Sequence, residues 1–331
     1  MLSSRAVDGV LGIQTRNHGE TNRRPQPSRG ILATTNVDGM TERVCVVGSV
    51  NMDLTTQVHT LPRPGETVLA SSLTYSPGGK GGNQAVAAAR AGAQVQFVGA
   101  VGDDAAAEQL RAHLLANGVA LNGTVTVPGP SGTAIIVVDA NGENTIVVAP
   151  GANGRLSLDN AHVRAVISDC DVLLTQVEIP VTTAVAAARQ ARSAGAIVMV
   201  NASPAGQDPS ALAELAEVAD VVVANESEAD EWPWRPRHFV VTLGARGARY
   251  AGADGEFEVS APTVAAVDTT GAGDVFAGVL AAHWPHHPDA DSPAQRRRAL
   301  RRACAAGALA TLVPGAGDCA PDAAAIDDLT G

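Results

Sequence analysis

From Val44 onward the chain alternates short, wholly apolar runs with alanine-rich stretches of helical length, and this rhythm restricts the fold more than any other feature. The spacing predicts strands over Val44 to Gly48, Val95 to Val101, Asp171 to Thr175, Ala196 to Val200, Val221 to Ala224 and Phe239 to Leu243. Helices are predicted over Gln84 to Ala91, Asp103 to Asn117 and Val181 to Ala194. A strand that is apolar at every position is buried on both faces, so this order implies an α/β protein with a mostly parallel sheet covered on both sides. Hydrophobic residues make up 45% of the 331 positions but aromatics only 3%, so the core must be built from Val, Ala and Leu.

Two stretches break the rhythm. Gly132 to Asp139 and Asn144 to Val148 are β-rich and joined through Ala140-Asn141-Gly142, an Asn-Gly hairpin signal. Leu54 to Val58 and Thr67 to Leu73 are also strand-like, around Pro62-Arg63-Pro64-Gly65. Together they predict a small sheet, within about 52–76 and 132–149, projecting from the main domain where a lid would sit. Residues 1–42 carry no periodic apolar pattern and read as a disordered extension, with Met40 as an alternative start and 43–331 as the folded domain. They lack the apolar core of a secretory signal.

The net charge of −11 and the absence of a long basic block argue against a nucleic-acid surface. Arg296-Arg297-Arg298 with Arg301-Arg302 is the densest basic cluster and reads as a solvated helix face. Cys45, Cys170, Cys304 and Cys319 are widely spaced in sequence, which suggests neither a zinc site nor a disulfide framework and fits a reducing, cytoplasmic setting. No apolar run reaches the ~18 residues of a membrane span. The loop His283-Trp284-Pro285-His286-His287-Pro288 lacks acidic or cysteine partners in sequence and is expected to be exposed rather than metal-binding.

The chemistry concentrates in Asp268-Thr269-Thr270-Gly271-Ala272-Gly273-Asp274, followed at once by the apolar run Val275 to Leu280. Small residues at 271–273 allow close backbone approach, and a helix starting there aims unpaired N–H groups and a partial positive charge at the same point. Asp274 can then take a proton from a hydroxyl while the amides hold a phosphate. Gly48-Ser49-Val50-Asn51-Met52-Asp53 follows the first strand, where ligands of parallel sheets bind. Asn51 and Asp53, at period two, either grip vicinal hydroxyls or satisfy a local turn.

Pro77-Gly78-Gly79-Lys80-Gly81-Gly82-Asn83 precedes a predicted helix. It is not a P-loop, because Gly81 stands where Ser or Thr is required. Close approach to a polyhydroxylated ligand, with Lys80 and Asn83 as donors, competes with a simple glycine turn. Glu178 lies just beyond a strand end and is either a hydroxyl acceptor or a helix-start acid. Asn225 and Glu228 either hold metal-bound water near phosphates, as hard oxygen ligands suit Mg²⁺, or form a helix cap. Thr242, Gly244 and Gly247 lie in a Gly-spaced turn that can admit a nucleotide or close a plain hairpin.

Taken together, from about Val44 to Pro321, these segments resemble the ribokinase-like (PfkB) carbohydrate kinases. The resemblance implies a three-layer sandwich with a mostly parallel central sheet and a small β-lid that also forms a homodimer contact. It implies ATP-dependent phosphorylation of D-ribose at O5, with Asp274 as general base and the backbone at Gly271, Ala272 and Gly273 as an anion hole. Asn51, Asp53, Gly79, Lys80, Asn83 and Glu178 would bind the pentose. Asn225, Thr242, Gly244, Gly247 and Gly273 would meet ATP, and Glu228 would act on Mg²⁺ through water. An activating K⁺ would be held by Asp268, Thr270, Ala310, Val313, Gly315 and Cys319, mostly through carbonyls.

The chain departs from the family between Asn225 and Thr242. Members commonly have a segment about twice as long there, and Asp230-Glu231-Trp232-Pro233-Trp234-Arg235-Pro236 replaces a helix and a connection. Trp232 and Trp234 are expected to cap the shortened region. Another sugar or nucleoside kinase of the same fold and a non-catalytic sugar-binding protein are the competing readings.

Overall fold

A computed structural model describes residues 41–286 and 291–331. Residues 1–40, which hold most of the predicted extension, and His287 and Pro288 of the predicted loop lie outside the described residues. The first half runs β1 (Arg43–Val47), β2 (Asn51–Gln57), β3 (Ser72–Gly78), α1 (Lys80–Arg90), β4 (Gln94–Val101), α2 (Ala105–Ala116), β5 (Ala120–Thr126), β6 (Gly132–Val138) and β7 (Asn144–Ala149). Then come α3 (Ala161–Ser168), β8 (Val172–Gln176), α4 (Val181–Ser193), β9 (Ile197–Asn201), α5 (Pro209–Ala216), β10 (Val221–Asn225) and α6 (Glu226–Asp230). The chain ends with β11 (His238–Thr242), β12 (Ala248–Gly252), β13 (Gly255–Val259), α7 (Ala272–His283), α8 (Pro293–Ala310) and α9 (Ala323–Thr330).

Among the described residues nine strands form the central sheet in the order β13-β12-β11-β10-β9-β8-β1-β4-β5. Pairing is parallel from β5 to β11 and antiparallel over β11-β12-β13. Alternate side chains of each strand feed two different cores, as a period of two requires. Val44, Val46, Leu174 and Val223 pack with α1, α7 and α8 on one face, while Cys45, Val47, Leu173 and Val222 pack with α3, α4 and α5 on the other. The result is the expected three-layer α/β sandwich. The strand order changes direction at β1, which sits between β4 and β8, and in such sheets the crevice at that switch point is where ligands bind.

The second sheet has the order β3-β2-β6-β7. Its register differs from the sequence reading in one strand. Residues 67–71 are a loop, Leu69 is almost wholly exposed, and the strand begins at Ser72, because β2 pairs from Gln57↔Ser72 through to Asn51↔Gly78. Asn51 and Asp53 are thus the first residues of β2 rather than a turn. Leu54, Tyr75, Ile135 and Val147 stand in one cross-strand row, on the face opposite Asn51 and Asp53. The hairpin at Asn141-Gly142 is present, with Gly142 at φ 83°.

Four further expectations are corrected. Helix α1 starts at Lys80, four residues early, so Gly81 and Gly82 are helical. The reason is steric: a Cβ on Gly81 would lie 2.7 Å from the backbone N and O of Ser49, a gap only glycine allows. The arginine cluster is not uniformly solvated. Arg296 is buried against Asp254 and Asp291, Arg302 is buried against Asp327, and the Arg297 guanidinium lies 3.8 Å over the Phe257 ring. The segment around Trp284 is packed rather than exposed: Trp284 is 1% exposed, and His286 pairs with Glu42 at 2.7 Å. That pair lies beside Asp171, which is already held by Arg43, so the group is an ion-pair network. Finally, residue 42 belongs to the fold, since its carbonyl accepts from Gln94 N at 2.8 Å.

The shortened segment after β10 is a five-residue helix capped by aromatics. Trp232 is buried and meets Trp234 edge-on at 5.2 Å. The four cysteines are buried free thiols, and burial pushes Cys304 up to about 12. Among the described residues no helix is long and apolar enough to cross a membrane.

Candidate active site

The carboxyl ends of β1, β8, β9, β10 and β11 open on one edge of the sheet, and the start of α7 faces them. Gly271 caps α7 with φ 80°, in the left-handed region that favours glycine, and a Cβ there would lie 2.8 Å from Ala316 Cα. The first N–H groups of α7 have no intrahelical acceptor. That of Ala272 turns back to the Thr269 carbonyl at 3.3 Å, while Gly273 and Asp274 border a cavity of about 150 Å³.

Asp274 is buried and doubly held: its Oδ2 accepts from Asn83 Nδ2 at 3.1 Å and its Oδ1 from Gln84 Nε2 at 2.9 Å. Both donors come from the first turns of α1. They reach Asp274 because α1 and α7 touch through small residues; a Cβ on Gly278 would lie 2.3 Å from the Gln84 carbonyl oxygen.

The predicted sugar-side residues gather around this carboxylate. Glu178 Oε2 accepts from Ser49 Oγ at 2.6 Å and from Lys80 N at 3.2 Å. Asn51 Oδ1 accepts from Asn153 Nδ2 at 2.7 Å, and Asn153 also braces the backbone of Val50. Gly79, at φ 88°, packs on Val50 and Asn51, while Gly78 leaves room for the Asp53 carboxylate.

Burial first, then the nearby Glu178 and Asp274 charges, push Asp53 up to about 7. Burial pulls the Lys80 ammonium down, but Asp274, Glu178 and Glu228 outweigh it and leave Lys80 above its ordinary value. The pocket therefore carries more negative than positive charge, with Lys80 at the junction of both ends.

On the other side a cavity of about 740 Å³ is lined by Thr242, Gly244, Gly247, Ala261, Val264, Phe276 and Cys304, among others. Asn225, Thr242 and Gly273 border both cavities, so the two meet there. Asn225 and Glu228 form a capping box: Asn225 Oδ1 accepts from Glu228 N, and Glu228 Oε2 accepts from Asn225 N, both at 2.8 Å. The two sequence readings coincide here, because a capped Glu228 still lines the smaller cavity. Thr242 to Gly247 is likewise both the β11-β12 turn and a cavity wall.

Asp268 lies behind Gly271. Its Oδ1 accepts from Thr270 N at 2.9 Å and Thr270 Oγ1 at 2.7 Å, and its Oδ2 from Gly315 N at 2.8 Å. Burial raises it, but these donors prevail and hold it below the usual carboxylate range. Ala310 and Val313 share a helix-end bond of 3.2 Å, and the Cys319 thiol sits 3.3 Å from the Ala316 carbonyl. Of the six residues expected to form one loop pair, Asp268, Thr270, Gly315 and Cys319 are directly tied, the last through its thiol, which donates to the Thr270 carbonyl at 3.9 Å. Sequence reasoning missed Ser49, Gln84, Asn153, Gln176 and Asn201; Ser49 lies inside the segment 48–53 and Gln84 directly follows Asn83, and that adjacency was the one signal available.

A carboxylate at a helix start, facing hydroxyl acceptors on one side and a nucleotide-sized cavity on the other, defines a small-molecule phosphotransferase site. The family model "pfkB family carbohydrate kinase" matches residues 41–323. Among similar proteins, the ribokinase of Bacillus subtilis (strain 168) is 36% identical over 279 residues, covering 80% of this chain and 94% of its own length. The deoxyribokinase of Salmonella typhi is 32% identical over 274 residues, covering 75% and 88%. The structure of Arabidopsis thaliana ribokinase complexed with ribose and ATP superposes with a TM-score of 0.78 at 28% identity, covering 88% of this chain and 99% of that one. The chain belongs to the PfkB family of carbohydrate kinases, phosphotransferases that act on a sugar hydroxyl.

Proposed function

We propose that this chain phosphorylates D-ribose at O5 with ATP, giving D-ribose 5-phosphate, with Asp274 as general base. The observation that carries the reading is Asp274 itself: held by two amide donors and placed at the α7 N-terminus on the smaller cavity, next to Gly273, where the two cavities meet. The likeness to proteins named ribokinase supports the choice of sugar.

In this reading Asn51, Asp53, Gly79, Lys80, Asn83 and Glu178 hold the sugar hydroxyls and aim O5 at Asp274. Asp274 takes the hydroxyl proton as O5 attacks, a contribution of typically ~10²–10⁴-fold. Backbone N–H groups at 271–273 and the α7 dipole stabilise charge on the transferring phosphoryl, while Lys80 balances the carboxylates around it. Asn225, Thr242, Gly244 and Gly247 position the nucleotide.

Glu228 keeps one carboxylate oxygen outside its cap bond and lines the phosphate-side cavity, which suits Mg²⁺ held through water. Bound there, Mg²⁺ would neutralise phosphate charge. The ionised Asp268 among the carbonyls of 270 and 310–319 fits a weakly held monovalent cation such as K⁺, next to the anion hole. The small sheet acts as the lid. Leu73, Tyr75, Ile135 and Val147, exposed on its outer face, suit a homodimer contact. The buried free thiols accord with a cytoplasmic enzyme.

The deoxyribokinase relatives favour one alternative, a 2-deoxy sugar acceptor. ADP release measured over ribose, deoxyribose, fructose and adenosine, with and without K⁺, separates the readings. The expected result is the highest kcat/KM for ribose and stimulation by K⁺. A higher kcat/KM for any of the other three would overturn the ribose reading, and no turnover with any would favour a silent binding protein.

A further inference from the structure

Behind Asp274, and outside the roles given above, lies a buried set of three carboxamides on three different elements. Gln84 is in the first turns of α1, Gln176 ends β8 and Asn201 ends β9. Gln84 and Gln176 are both 0% exposed. Gln84 Nε2 donates to Asp274 Oδ1 at 2.9 Å and to Asn201 Oδ1 at 3.1 Å, and Gln84 Oε1 accepts from Gln176 Nε2 at 2.6 Å. Asn201 Nδ2 donates onward to the Val223 carbonyl at 3.2 Å.

The direction of every amide in this set follows from two groups that can only accept. A carboxylate has no proton to give, so the amide facing Asp274 must present N–H. The Val223 carbonyl likewise requires the Asn201 nitrogen, which turns Asn201 Oδ1 toward Gln84. Gln84 Nε2 has two protons for these two acceptors, and its oxygen is left facing Gln176. Only a nitrogen on Gln176 fits at that distance. The cost falls at the end of the chain: Gln176 Oε1 is buried without a hydrogen-bond partner, pressed against Gly48, where a Cβ would stand 2.0 Å from it. A buried unpaired oxygen is unfavourable, and two apolar side chains would fill this space without one.

We propose that Gln84 and Gln176 form a directional amide relay in which Gln176, donating to Gln84 Oε1, braces the Gln84 side chain in the orientation set by Asp274 and Asn201, so that Gln84 holds its N–H on Asp274 and keeps that carboxylate aimed at the acceptor hydroxyl. Both are positioning residues. The proposal rests on Asp274 being the base. Other ionisable groups facing Asp274 are Lys80, Asp53 and Cys319, with Glu178 and Glu228 reaching the same pocket through Lys80. None of their side chains bonds to Gln84 or Gln176, so the relay reaches them only through the charge of Asp274.

The test compares kcat, ribose KM and the pH profile of kcat/KM for the wild type, Gln84→Met, Gln176→Leu, Gln176→Glu and Asp274→Asn, with melting temperature and calorimetric ribose binding measured alongside. Loss of an N–H donor raises a carboxyl pKa, so the acid limb should move up by ~0.5–1 pH unit in Gln84→Met and Gln176→Leu. Turnover should fall ~30-fold and ~10-fold respectively, with ribose KM within ~3-fold of wild type. In Gln176→Glu the buried carboxyl stays protonated near neutrality and still donates, so turnover at pH 7 should stay within ~3-fold of wild type.

An unmoved acid limb in both apolar variants, or a Gln176→Glu enzyme as impaired as Gln176→Leu, overturns the relay. If the apolar variants do not fold, Gln176→Glu decides alone: a loss of ~10-fold or more overturns it. Near-normal turnover in Asp274→Asn is a separate failure, of the base assignment itself.

Discussion

The two ends of the site are built on different principles. At the acceptor end most polar groups are directed by another, with Asp53 Oδ1 the buried exception: Asn153 holds Asn51, Ser49 and Lys80 N hold Glu178, and Asn83 and Gln84 hold Asp274. The backbone there is packed so closely that Gly79 and Gly81 meet Val50, Asn51 and Ser49 with no space for a side chain. The nucleotide end is a roomier cavity walled by Ala261, Pro262, Val264, Phe276 and Gly244, with few directed polar groups. A rigid, hydrogen-bonded site discriminates strongly between hydroxyl patterns, whereas an apolar wall discriminates weakly between ligands of similar shape. Substitutions at the acceptor end should therefore cost more.

The largest effect among positions that do not touch the reacting atoms is expected at Gly81. Alanine there cannot be absorbed by a side-chain shift, since the close atoms are the backbone of Ser49 and Gly48. Moving α1 displaces Lys80, Asn83 and Gln84 together, and a displacement of ~1 Å can cost ~10²-fold in turnover. Kinetics of Gly81→Ala within ~3-fold of wild type would break the comparison.

Asp53→Asn should be the next in size. Losing one charged acceptor should raise ribose KM by ~10–50-fold with a smaller change in kcat. The same residue sets a pH signature. Its folded pKa, about 7, stands above the unfolded value, so the folded apo protein holds the extra proton. The contribution to stability is present below the unfolded carboxylate pKa and is lost as pH rises toward 7. Thermal melts of the apo protein should show that decline, and Asp53→Asn should flatten it. Ribose binding, in contrast, should release a proton and strengthen as pH rises through 7, which calorimetry in buffers of different ionisation enthalpy reads directly.

The smallest effect is expected at Thr242, on the nucleotide side. Thr242→Ala should raise ATP KM by only ~2–5-fold and leave ribose KM unchanged. A larger penalty there than at Asp53 would reverse the comparison.

Much of this contrast was legible in the sequence. The apolar strands and alanine-rich helices dictated the layered sheet, and the glycines at 78–82 and 271–273 marked the places where backbone meets ligand. What escaped was set by tertiary contact. Gln84 and Gln176 lie ninety-two positions apart and gain their role only when α1 crosses the end of β8. Arg296 and Arg302 look like surface charges until Asp254, Asp291 and Asp327 arrive from elsewhere in the chain. The strand at 72–78 was misplaced because Thr67-Val68-Leu69 has strand propensity, while pairing with β2 fixed the strand five residues further on.

The central claim is that Asp274 removes the proton from a ribose hydroxyl at the edge of the smaller cavity, beside Gly273. Asp274→Asn tests it most directly, because the amide preserves the shape of the side chain and removes the base. Steady-state turnover with ribose and ATP should fall by ~10²-fold or more while calorimetric ribose binding stays within a few-fold of wild type. Turnover near the wild-type rate, with binding intact, would contradict the account.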